Sequence, residues 1–396
     1  MELFDHSRHE PLRGMPWDEA VARRAIEAIV HDCADRFSPD RLWPLHALDL
    51  EGRPPTEPFT MFYLGAAGVI WALDFLVRRG LAPPTKGIAN VLDGLEERNR
   101  SQVGSSDSFF IGRSGVLLTH FRVAPSREIA DALEQSIAAN TEHPSCELLW
   151  GAPGTMHAAL AMHEWTGETR WAELYRSGAR SLARSLSRHD KCELWTQALW
   201  GRRFTQLGAA HGFAGNAGAI LRGIALLPKA ERAAWTERIT RTAQASAIRD
   251  GPFANWPVEY PSHPRSDTKI LVQWCHGAPG FVTSLAELAD PRLDEILLGA
   301  GELIWAAGPL AKGAGLCHGT AGNGYAFLTL YRRTRDRRWL ERARAFAMHA
   351  ISQSELDAAT YGMRRYSLYT GDPGLAIYLA RCIDGAAAWP GLDPER

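Results

Sequence analysis

The chain has no run of about 18 apolar residues, so it carries no segment that reads as a transmembrane helix. Its opening residues, MELFDHSRHEPLRG, hold charges and no apolar stretch, and do not read as a secretory signal. An excess of one charge sign is also absent. A formal net charge of −1 argues against a nucleic-acid partner or an anionic membrane surface. Cysteine is sparse: six residues, at 33, 146, 192, 275, 317 and 382, scatter through 396 positions. That spread excludes a disulfide framework and fits a reducing cytoplasm, where cysteines beside histidines point to metal or catalysis. What the chain does have is 45% apolar and 22% charged residues, enough for a sizeable globular core.

Glycine is where the pattern lies. Seven segments repeat Gly-x-x-Gly followed by an apolar run: YLGAAGVIWAL, FIGRSGVLL, LWGAPGTMHAAL, AHGFAGNAGAIL, CHGAPGFVTSL, CHGTAGNGYAFL and YTGDPGLAIYL. Their first glycines are 65, 112, 151, 212, 277, 319 and 371, spaced from 39 (112 to 151) to 65 (212 to 277) residues, the range of helical-pair repeats. Between them run amphipathic segments. The one from Trp17 sets Ala20, Ala25, Ile26, Ile29 and Val30 on one stripe, and those from Thr169 and Asp336 repeat the period with arginines opposite.

Each repeat therefore predicts an amphipathic helix, a glycine loop and a shorter helix that is apolar nearly all round. The first kind faces water on one side; the second must be covered on most sides. Seven outer and seven inner helices closed into a ring meet both demands. The expected fold is all-α, an α/α toroid of seven hairpins forming one domain over residues 1–396, with roughly the first 15 residues as a lead-in. Crowded inner helix starts and turns at positive φ account for the glycines. Seven converging helix N-termini are expected to offer free N–H groups and partial positive charge to anions. Two long connections, 187–212 and 249–269, are expected to rim the site, the first with short strands.

Two loops differ from the others. The fifth reads Trp274-Cys275-His276-Gly277 and the sixth Leu316-Cys317-His318-Gly319. In a closed ring, consecutive repeats bring the same register together near the axis. Cys275 and Cys317, with His318 alone or with His276 as well, then form a zinc set, since sulfur and imidazole select Zn²⁺ over Mg²⁺ or Ca²⁺. Three protein ligands leave one position open, as in catalytic sites. Two thiolates already cancel the ion's charge, which suits binding a further thiol as a nucleophilic thiolate rather than making hydroxide. Trp274 and His276, flanking Cys275, are expected to face substrate. His211 occupies the register of His276 and His318 without a cysteine, and serves as general acid or base with Glu147 as its partner. The remaining four cysteines read as small buried hydrophobes.

The motifs GAAHGFAG, WCHGAPG and GLCHGTAGNGYAFL resemble those of the lanthionine synthetase C-like family, and the resemblance runs from Tyr63 to Leu379. It implies the seven-hairpin toroid, one zinc on Cys275, Cys317 and His318, and His211 as the catalytic histidine. His276 stands where the lantibiotic cyclases usually have tyrosine, and Glu147 where they tend to have aspartate. The cysteine motifs look closer to the branch that adds glutathione to dehydroamino acids. In that branch a lysine five residues before the second cysteine contacts glutathione, and Lys312 holds that place; Arg364 and Arg365 are further anion contacts to test. The implied reaction is addition of a thiol, from glutathione or a peptide cysteine, to dehydroalanine or dehydrobutyrine in a peptide or protein. A zinc-bearing scaffold that binds glutathione or peptide without turnover is the alternative. A toroidal glycosidase would need paired carboxylates, and the glycine loops offer only Glu147 and Asp372; a protein prenyltransferase subunit fits the Cys-His register poorly.

Overall fold

The alternation of amphipathic and apolar segments becomes an alternation of outer and inner helices. A computed structural model describes residues 3–50, 57–261 and 270–395, so the last eight-residue part of the 249–269 connection, 262–269, lies outside the described residues. In chain order the helices are α1 (Glu19–Arg36), α2 (Ala47–Leu50), α3 (Ala66–Arg78), α4 (Ile88–Val103), α5 (Arg113–Val123), α6 (Arg127–Asn140), α7 (Ala152–Thr166), α8 (Thr169–Ser185), α9 (Phe213–Arg222), α10 (Lys229–Ser246), α11 (Ala278–Leu285), α12 (Asp294–Ala307), α13 (Thr320–Thr334), α14 (Arg337–Tyr361) and α15 (Asp372–Asp384).

From α3 to α15 the odd-numbered helices are the inner ones, each touching the next, and α15 touches α3, which closes the ring. The outer helix α1 reaches across the seam to α14 and α15. The outer layer is α1, α4, α6, α8, α10, α12 and α14, and the short α2 stands apart from the hairpin pattern. The fold is the seven-hairpin α/α toroid. Every residue of α11 is buried, as an inner helix requires. On α1 the buried stripe is Ala22, Ala25, Ile26, Ile29, Val30 and Cys33; Ala20, expected there, is exposed in the first turn.

The first long connection forms the antiparallel hairpins β1 (Leu186–His189) with β2 (Cys192–Trp195) and β3 (Gln197–Leu199) with β4 (Arg202–Phe204). The second forms β5 (Ile248–Asp250) with β6 (Phe253–Asn255).

The glycines serve close packing more than unusual backbone. Six of the seven first glycines have negative φ; only Gly277, at φ +99°, needs glycine's conformational freedom. The second glycine of each motif is packed in a strictly cyclic way. A Cβ on Gly68, Gly115, Gly154, Gly215, Gly280, Gly322 or Gly374 would strike the carbonyl oxygen six residues upstream in its own loop. It would also press on the side chain of the matching residue in the preceding repeat: Leu368, Phe62, Phe109, Leu148, Ala209, Trp274 and Leu316 respectively. One register thus meets itself seven times around the axis.

The next register carries a ladder. The Tyr63 amide donates to Phe110 O (2.9 Å), Ala210 to Cys275 O (3.3 Å), Cys275 to Cys317 O (3.1 Å), Cys317 to Tyr369 O (2.7 Å) and Tyr369 to Tyr63 O (3.2 Å). These bonds join neighbouring loops into a rim at the mouth. The other end of the axis is closed by the segment after α15. Trp389 stacks on Trp274 at 4.7 Å, Asp393 accepts from Arg222 Nε at 2.6 Å, and the Leu392 carbonyl bonds His157 at 2.8 Å. Access to the axis is therefore from the loop end.

Candidate metal centre and its histidine dyad

The rim ladder determines where the cysteines meet. Cys275 and Cys317 hold the same place in consecutive loops and are tied by the Cys275 amide to Cys317 carbonyl bond, so their side chains project to one point. With His318, the next residue, their ligand atoms all lie within 4.8 Å of one another. Both cysteines are buried, at 7% and 3% exposure, and His318 is half-buried. Two sulfurs and one imidazole, shielded from water but open to a cavity beside His318, are a donor set and a setting that fit one zinc ion.

Hydrogen bonds reach both sulfurs. Gln273 Nε2 donates to Cys275 Sγ at 2.9 Å and is itself held by Arg8 Nη2 on its Oε1 at 3.2 Å. The Tyr63 hydroxyl donates to Cys317, and burial together with the charges of Cys317 and Cys275 pushes that phenol well up, so it stays protonated. The hydrogen bond from Cys317 holds Cys275 well below the ordinary thiol value. Gln273, Arg8 and Tyr63 were not anticipated from the sequence. Tyr63 shares the cysteines' register and could have been found by aligning the loops; Arg8 lies 265 residues from Gln273 and left no local signal.

His211 and Glu147 do come together. Glu147, fully buried, accepts from the backbone amides of Leu149 (3.0 Å) and Trp150 (2.7 Å), and its Oε2 bonds His211 Nδ1 at 2.8 Å. The carboxylate is thus fixed by its own loop and in turn fixes the ring, leaving Nε2 for chemistry. Burial, the largest influence on His211, pulls its pKa down, but the hydrogen bond and charge of Glu147 outweigh it and the net value is raised. His276 moves the other way. Burial holds it below its usual value, and its Nδ1 has no partner among the described residues. The two rings stand 6.1 Å apart, one disposed to be an acid and the other neutral.

A cavity of about 800 Å³ opens on the His318 side, with Lys312, Arg365, Asp49, Tyr63, Met61 and Trp150 among its walls. Lys312 faces it, with no hydrogen-bond or ion-pair partner among the described residues. Arg365 lines it too but is tied to Asp49 (Nε to Oδ1, 2.8 Å), whereas Arg364 is spent on Ser354 and Glu355 away from the cavity.

Two expectations need correction. Trp274 does not face substrate: it is 1% exposed, stacked on Trp389 and tilted against Tyr369 at 5.6 Å, because its register points toward the closed end of the axis. Six of the seven inner helix N-termini, all but that of α7, are not free anion sites either. Their leading amides bond carbonyls seven residues upstream in their own loops: Ala66 to Phe59, Arg113 to Ser106, Phe213 to Gln206, Thr320 to Gly313 and Asp372 to Arg365. On α11 the Asn255 side chain accepts from Ala278 instead.

Comparison with known proteins agrees with this architecture. The sequence profile described as lanthionine synthetase C-like protein matches residues 53–393. The chain is 39% identical over 123 residues to glutathione S-transferase LANCL1 of Danio rerio, covering 30% of each chain. It is 33% identical over 215 residues to LanC-like protein GCL1 of Arabidopsis thaliana, covering 52% of this chain and 47% of that one. It therefore spans less than half the length of these curated relatives. Among solved structures, nisin cyclase superposes with a TM-score of 0.62 over 93% of this chain and 96% of that chain, at 14% identity, a likeness of fold.

Proposed function

The chain belongs to the lanthionine synthetase C-like family, and from that premise we propose that it is a zinc-dependent enzyme forming thioethers. In this reading it adds a thiol, from glutathione or a peptide cysteine, to dehydroalanine or dehydrobutyrine in a peptide or protein. The observation that carries the reading is the adjacency of two groups on one rim: the Cys275, Cys317 and His318 cluster, and the His211–Glu147 dyad on its Cys275 side. Held by those three ligands, zinc supplies a lowered pKa for a bound thiol.

The chain's own residues do the rest. Lys312, without an ion-pair partner among the described residues and in the cavity wall beside His318, holds an anionic group of the thiol substrate. The thiol's proton leaves to solvent, and its sulfur bonds the β-carbon of the dehydroamino acid as the carbon–carbon π bond breaks. The electron pair moves toward the α-carbon and its carbonyl. His211, kept protonated by Glu147, donates its proton from Nε2 to the α-carbon and is reprotonated from solvent. Because the leading amides of six inner helices are engaged, stabilisation of that developing charge falls to His211 and to His276, whose Nδ1 has no partner among the described residues.

Mass spectrometry of a dehydroalanine peptide incubated with glutathione and zinc-loaded protein tests the reading, with Cys317→Ala as control. A glutathione adduct formed only by the intact protein is the expected result. Loss of a peptide's own free thiol without added mass identifies an internal ring instead. Neither product, with zinc bound, leaves the non-catalytic scaffold.

A further inference from the structure

The turn joining β3 to β4 contradicts its own local chemistry. Leu199 pairs with Arg202, so the turn is the two residues Trp200 and Gly201, with φ of +51° and +72°. Positive φ at both places marks a type I′ turn, whose first position favours asparagine, aspartate or glycine. A bulky aromatic there is a true outlier. Trp200 is also 69% exposed, more than any other large apolar residue among those described. Within the hairpin its ring contact is Phe204, edge-on at 6.0 Å, which leaves most of the indole in water.

Its position accounts for the residue. The indole stands edge-on to the His211 ring with centroids 5.5 Å apart, and neither ring is among the walls of the Lys312 cavity. The next two residues on the strand are Arg202 and Arg203, both exposed and without an acidic partner among the described residues. Strain kept where a side chain meets a reactive histidine is a signature of a binding element. An exposed tryptophan flanked by arginines has the composition of an interaction anchor.

We infer that this turn is the acceptor subsite, with Trp200 covering the dehydroamino acid over His211 and Arg202 and Arg203 selecting peptides with acidic residues beside it. The identity of the acceptor rests on the thioether-forming reading. The division of labour follows from geometry. A thiol enters from the Lys312 cavity on the His318 side, while the carbon to be protonated must lie at His211, beneath Trp200.

Fluorescence anisotropy of labelled dehydroalanine peptides, identical except for two flanking glutamates, serines or lysines, tests the subsite on zinc-loaded full-length protein. The glutamate peptide is expected to bind about tenfold more tightly than the lysine peptide, and Arg202→Ser with Arg203→Ser to erase that preference. Trp200→Ser is expected to weaken all three by about fivefold, and Trp200→Tyr to restore most of it. These changes lie on an exposed turn, and zinc content with circular dichroism verifies the fold. Equal binding of the three peptides to the unaltered protein, no measurable binding, or a Trp200→Ser affinity within about twofold of the parent overturns the inference. Thioether formation is scored separately on the same samples. Discrimination without product defeats the catalytic reading and spares the subsite; product without discrimination does the reverse.

Discussion

The fifth and sixth loops share a rim ladder with the first and seventh and differ from them chiefly in side chains. All four sit on the same rim ladder, through Cys275, Cys317, Tyr369 and Tyr63, and all four press the second glycine of their motif against the preceding repeat. Two of them present sulfur and imidazole; the other two present tyrosines that stack on each other at 5.2 Å. The scaffold is thus close to sevenfold while the candidate metal ligands occupy one sector. The tyrosine half is not inert, since the Tyr63 hydroxyl reaches Cys317 and one cavity joins Tyr63 to His318. A symmetric backbone sets positions, and a few substitutions at one register decide which positions react.

The largest expected effect comes from breaking that asymmetry directly. Cys317→Ala is expected to lose zinc, measured by metal analysis of the purified protein, and to lower thioether formation by about 10³-fold. Tyr369→Phe, the next residue along the ladder, is expected to keep both metal and turnover, because its hydroxyl is engaged with Pro390 O and Trp389 Nε1 at the closed end rather than with a sulfur. Equal losses in the two would end the distinction between the sectors.

A second change separates the dyad from the metal. The folded environment raises the His211 pKa, so its acid form persists above the usual histidine range and activity that needs that form is lost as pH rises through the raised value. Glu147→Gln removes the two larger raising influences and leaves burial, which lowers the value, opposed only by the charge of Cys275. The alkaline limb of the pH–rate profile is then expected to move to lower pH, with zinc content unchanged. A profile that stays in place would remove Glu147 from the proton chemistry.

The smallest effect sharpens the comparison inside the metal sector. Gln273→Leu deletes the donor to Cys275 while keeping a similar volume. Chelator competition is expected to show zinc held about tenfold less tightly. The cobalt-substituted protein should also show a shifted sulfur-to-metal charge-transfer band. An unchanged band and affinity would reduce Gln273 to a packing residue.

Much of this was written in local pattern. Glycine spacing and the two helix polarities determined the toroid, because an apolar helix flanked by amphipathic ones has few ways to be covered. The shared Cys-His register determined which residues meet, because a ring superposes equal registers of consecutive repeats. The directions of side chains were another matter. Trp274 looked like a wall of the site, yet the register next to the cysteines turns toward the closed end, where the segment from Ala386 fills the axis. The helix amides looked free until the loops folded back onto them.

The sequence by itself, then, determined the repeat, the helix layers, the candidate cysteine and histidine ligands and the His211–Glu147 candidates, since each is a matter of residue type at a fixed spacing. Only the tertiary structure decided that Gln273 and Tyr63 reach the sulfurs, that Arg8 stands behind Gln273, and that Trp200 stands edge-on to His211. Those contacts join residues up to 265 positions apart, and no local spacing encodes a distance that exists only after the ring has closed.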